Sequence, residues 1–245
     1  MRSILFKEIS TFFSTITGYV AVGIFLAITS WFMWVSPGEY NVIDGGFASL
    51  DTLFFIAPWV FLLLVPAVTM RMFAEEKKTG TVELLLTRPL TDLQLVGGKF
   101  LGAVVLVLIA LIPTLIYLFS VYQLANPVGN VDMGAMWGSF IGLFFLAAVY
   151  AAIGVFSSSL TDNQIVSFIL AAVLCLFMYI GFDSLASFPV LKSADSFIVS
   201  LGINEHYKSM SKGVIDSTEI SPLSPLSPLS PLSPLSPLSP LPLLS

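Results

Sequence analysis

Charge is what this chain of 245 residues has least of: 10% of its residues are Asp, Glu, Lys or Arg, against 56% hydrophobic. Together with a mean hydropathy of +0.95, that balance excludes an ordinary water-soluble domain. Histidine occurs once, at His206, between Glu205 and Tyr207. It has neither a nucleophile nor a metal-ligand set around it, which leaves hydrolytic and metal-centred chemistry without support. The single cysteine, Cys175, stands in an apolar run; it has no disulfide mate and reads as a small core residue. Asp183 closes an apolar run but has no second intramembrane aspartate with which to form a dyad. No G-x-x-x-x-G-K-[ST] stretch occurs, because Gly98-Lys99 leads into Phe100; the chain has no P-loop of its own. No basic face interleaved with aromatics suggests nucleic acid. We expect no catalytic residue, no cofactor and no metal.

What is present is apolar length. A bilayer core requires roughly 20 mainly apolar residues per helix, and five runs meet that: Ile16 to Val35, Leu53 to Met72, Phe100 to Val121, Trp137 to Phe156 and Ile165 to Phe182. The first run lacks a small-residue cleavage pattern and is read as a retained span rather than a signal peptide. None of the five contains a lysine or places an acid or arginine near its middle, the position where a proton- or sodium-driven carrier needs one. Pro58, Pro66 and Pro113 are read as kinks in packed helices rather than as parts of a gated ion site. The predicted fold is all-α: a polytopic membrane helical bundle.

The few charges are segregated. Arg2 and Lys7 precede the first run, and Arg71, Lys77, Lys78, Arg88 and Lys99 lie between the second and third. The connections Ser36 to Thr52 and Tyr122 to Met136 carry Glu39, Asp44, Asp51 and Asp132 with no basic residue. By the positive-inside rule the N-terminus and the segment between runs two and three are cytoplasmic. Met1 to Ser14 alternates Leu5, Phe6, Ile9, Phe12 and Phe13 with Arg2, Lys7, Glu8, Ser10 and Thr11. That spacing predicts an amphipathic helix lying at the interface.

The segment 73–99 is too ordered in pattern to be a plain loop. Thr81-Val82-Glu83-Leu84-Leu85-Leu86 reads as a short helix, ended after Arg88 by Pro89. Thr91-Asp92-Leu93-Gln94 then forms a capping box, with Leu90 and Leu95 at the staple positions, and starts a new helix at Asp92. Nothing need stop that helix before Val121, so the third span is expected to project beyond the hydrocarbon. A leucine triplet held at a membrane surface seeks lipid or a protein groove; the groove is the preferred reading.

At these residues the sequence resembles the membrane subunits of ABC transporters of the type 2 permease class. Glu75 to Ala103, EEKKTGTVELLLTRPLTDLQLVGGKFLGA, is similar to that family's acidic approach, Gly-Thr, short helix, proline and start of span three. Within the family the likeness is closest to gliding-motility-associated permeases, with those of copper-site maturation systems near them. The resemblance implies an N-terminal elbow helix (1–14) and a cytoplasmic coupling segment (73–99). It also implies an ATP-binding ABC subunit as partner, contacted by Thr81, Val82, Glu83, Leu84, Leu85, Leu86 and Arg88, and a second permease subunit, identical or related, in a bacterial inner membrane. Ser157 to Leu170 looks like the tight turn between spans four and five, and His206 to Ser217 like the segment leading to a sixth span. A non-transporting membrane scaffold that recruits a motility or secretion partner is the alternative.

The permease domain is expected over residues 1–220. Residues 221–245 hold seven copies of Ser-Pro-Leu and then Pro-Leu-Leu-Ser. Proline at every third position forbids a spanning helix and favours polyproline II or disorder. The repeat stands where the family carries a sixth span, which reads as a frameshift or repeat expansion in preference to a proline-motif ligand.

Overall fold

The computed structural model describes residues 2–38, 40–46, 48–81, 91–181 and 207. Among them every regular element is helical. Helix α1 is Arg2–Ser14; α2 is Ile16–Ser30, continued by a π-helical turn Trp31–Val35. Then come α3, Asp51–Thr69, and α4, Ala74–Lys78. Helix α5, Asp92–Leu111, passes through a 3₁₀ turn at Ile112–Thr114 into α6, Leu115–Leu124. Helix α7 is Met133–Leu160, and α8, Gln164–Leu176, ends in a second π-helical turn, Phe177–Gly181.

These elements make five stretches long and apolar enough to cross a membrane: Ile16–Val35, Asp51–Lys78, Asp92–Leu124, Met133–Leu160 and Gln164–Gly181. Each contains most or all of one predicted run. The third is the longest, 33 residues, as the cap at Thr91 and the absence of an early stop require. Its one irregularity falls at Pro113, where the missing amide hydrogen and the ring tighten the helix into the 3₁₀ turn.

Helix α3 sits at the centre, packed against α7, α2 and α8. In α2 and α8 only 22% of the spanning window is buried, against 61% in the α3 span, so the outer two turn most of their apolar surface toward the surroundings. The α3–α7 contact is close because Gly154 has no side chain: a methyl group there would overlap Thr69. Phe54 and Phe140 meet edge to face at 5.0 Å further along the same pair.

Both prolines of α3 are buried within the helix. Pro58 has no N–H to give the carbonyl four residues earlier, that of Phe54. The Tyr207 hydroxyl donates to that oxygen at 2.6 Å and so meets the hydrogen-bonding need that proline leaves open. This contact places Tyr207 at the end of the bundle away from α1. His206, Asp183, the rest of the segment before the expected sixth span and the Ser-Pro-Leu repeat lie outside the described residues.

Candidate functional site

The ion pairs among the described residues fall in one cluster, at the end of the bundle that carries α1 and α4, which we call the basic end. Lys99, eight residues into α5, is its hub and is completely buried. Its ammonium donates to Glu8 Oε1 of α1 at 3.0 Å and to the Met72 carbonyl just past α3. It also lies 2.9 Å from Glu76 Oε2 of α4 and 4.7 Å from the centroid of the Phe73 ring. Glu76 Oε1 in turn accepts from Lys7 of α1 at 2.6 Å. Two cations and two carboxylates make the cluster neutral, which lets charges sit at the edge of an apolar bundle.

Sequence placed each residue there for local reasons, and packing converted the placement. Lys99 reads as one of several topological charges next to a span, and Glu8 as part of the wet face of an amphipathic helix. Both readings are corrected by the structure. The Glu8 side chain is only 11% exposed, because α1 lies along α5 and Gly102 leaves room for it. A Cβ at position 102 would stand 3.1 Å from that of Glu8. The signal in the sequence was the Gly97-Gly98-Lys99 and Gly102 spacing, small residues on either side of one cation, which becomes informative only once α1 is known to cover it.

A second joint adjoins the first. Between α3 and α4 the chain turns over residues 70–73, and the Ser158 hydroxyl of α7 holds that turn. It accepts from the amides of Phe73 (2.9 Å) and Ala74 (3.1 Å) and donates to the Met70 carbonyl at 3.1 Å. Lys77 reaches the Ser159 carbonyl. The orphan amides that begin α4 are thus satisfied from another helix, and α4 is fastened to the span that packs on α3. At its far end Gly80 adopts φ +69°, the left-handed conformation that closes a helix, with its amide on the Lys77 carbonyl at 3.1 Å.

Of the residues expected to contact a partner, Thr81 is described: its hydroxyl lies 3.0 Å from that of Thr79 and 3.3 Å from the Glu76 carbonyl, and its side chain is exposed. Val82, Glu83, Leu84, Leu85, Leu86 and Arg88, with Pro89 and Leu90, lie outside the described residues. The expected cap is observed in one direction: the Gln94 amide donates to Thr91 Oγ1 at 3.4 Å, and Thr91 is the N-cap of α5. Residues 82–90 are therefore flanked by two anchored points, α4 held by Ser158 and Glu76, and α5 held by Lys99.

No curated protein and no solved structure matches the chain. Residues 44–238 match the family described as ABC-2 family transporter protein. That match covers most of the sequence, including α3 to α8 and the whole of the segment between spans two and three. A multi-pass helical bundle and this match agree, and the chain belongs to the ABC-2 family of transporter proteins.

Proposed function

We propose that the chain is the membrane subunit of an ABC exporter driven by a separate ATP-hydrolysing subunit. The drive enters at residues 73–99 on the cytoplasmic side of a bacterial inner membrane. The positive-inside distribution supports that orientation: among the charged residues before span one and between spans two and three lie seven of the ten lysines and arginines. The likeness of the chain, over roughly residues 1–220, to gliding-motility-associated permeases supports a role in that process. Two such chains, identical or related, enclose the path.

One observation carries the reading: at the basic end, α1, α4, α5 and the turn just past α3 are tied through the buried Lys99. A docked ATPase pushing on Glu83 and the leucines beside it moves α4 and α5, and the cluster passes that motion to the elbow helix and spans two and three together. Such coupling is a population shift between two arrangements, driven by differential contact with nucleotide-loaded partner. The test is purification of the chain from its native membrane in mild detergent, with identification of co-eluting subunits and assay of ATP hydrolysis. A P-loop ATPase that co-purifies with the native chain and is lost on Glu83→Arg is the expected result. An ATPase retained by that variant removes the docking role of the segment.

A further inference from the structure

An apolar groove of about 860 Å³ runs along α2 and α3, from Arg71 at the basic end to Tyr40 at the other. Its volume is that of a ligand site rather than a surface irregularity. Val20, Ile24, Trp59, Leu63 and Ala67 line it at the depth of the hydrocarbon. Arg71 stands at its mouth, half-buried, with one guanidinium nitrogen on Thr17 Oγ1 at 2.7 Å. It makes no ion pair among the described residues. Glu8, the carboxylate that also borders the groove, is committed to Lys99.

We propose that this groove holds one anionic phospholipid, its phosphate on Arg71 and an acyl chain along α2 and α3. A guanidinium at the interface with no ion-pair partner among the described residues calls for an anion, and the apolar trough below it calls for hydrocarbon. A single lipid supplies both at the required depth. A protein partner would have to bring an acidic side chain to the edge of an apolar face, at a desolvation cost that a lipid headgroup, already at the interface, does not meet.

Native mass spectrometry of the full chain, delipidated in detergent and titrated with phosphatidylglycerol or phosphatidylcholine, tests this. The native chain is expected to take up one phosphatidylglycerol with about a fivefold preference, the advantage one interfacial cation confers. Arg71→Gln should bring the preference to near unity, Arg71→Lys should retain most of it, and Ala67→Trp, which fills the trough, should lower uptake of both lipids. An undiminished preference in Arg71→Gln overturns the proposal. So does undiminished uptake by Ala67→Trp, which decides the matter if the Gln variant does not fold. A native chain that arrives as a lipid-free dimer assigns the groove to a second copy instead.

Discussion

At the scale of single residues the energetics separate two lysines of one cluster. Lys7 is 52% exposed in its ion pair and Lys99 is not exposed at all. A solvated pair is worth at most about 1 kcal/mol, whereas removing one partner of a buried pair strands the other and costs about 3–5 kcal/mol. Lys99→Ala is therefore expected to lower the thermal stability of the detergent-solubilised chain far more than Lys7→Ala. Lys99→Met combined with Glu8→Gln and Glu76→Gln should recover most of the loss, because the one charge left without its partner is then Lys7, which is half-exposed and solvated. Equal effects of the two alanine substitutions in a thermal-unfolding assay would contradict the assignment of Lys99 as hub. Tyr207→Phe removes the donor to the Phe54 carbonyl that Pro58 leaves without a helical partner. The cost of that unsatisfied acceptor is about 1–3 kcal/mol, and Pro58→Ala, which restores a helical amide, should reduce it.

At the scale of elements, α4 is five residues long, far below the length at which a helix holds itself in water. It persists because Ser158, Glu76 and Gly80 fix its ends and one face. Ser158→Ala leaves two buried amides without an acceptor, so it is expected to release α4: hydrogen exchange at Phe73 to Lys77 should rise by an order of magnitude or more, while α7 itself stays protected. Gly154→Val acts on the same contact from the other direction by pushing α7 off Thr69. Exchange at residues 73–77 that is unchanged in both variants would show that α4 is held by something else. Thr91→Ala, in contrast, removes an exposed cap worth about 1 kcal/mol and should loosen only the first turn of α5.

At the scale of the whole molecule, the functional question is whether the ion cluster and segment 82–90 act as one unit. If they do, Lys99→Met with Glu8→Gln and Glu76→Gln should still bind the proposed ATPase, since the proposed docking residues lie outside the cluster, yet lose stimulation of ATP hydrolysis by the membrane subunit. Glu83→Arg should lose both. A triple variant with native stimulation would sever the proposed route through Lys99. The Ser-Pro-Leu repeat raises a separate question, because the family match runs to residue 238 and therefore across it. We propose that replacing the repeat with an apolar span raises the yield of assembled complex; equal yields would count against a missing sixth span.

Composition and periodicity were enough for the spans, since five apolar runs of sufficient length have few alternatives in a membrane, and backbone hydrogen bonding there forces helices. The N-cap at Thr91 is likewise a local matter of four consecutive residues, whereas the 3₁₀ turn at Pro113, read from sequence only as a kink, took the structure to define. Burial of Lys99 and Glu8 was decided by tertiary structure alone. The two residues are 91 apart in sequence, each looks like an ordinary surface charge locally, and only the packing of α1 along α5 turns two solvated groups into a desolvated pair. The same holds for Ser158, one of three consecutive serines in the sequence, which is selected from its neighbours by nothing except its position opposite the break between α3 and α4.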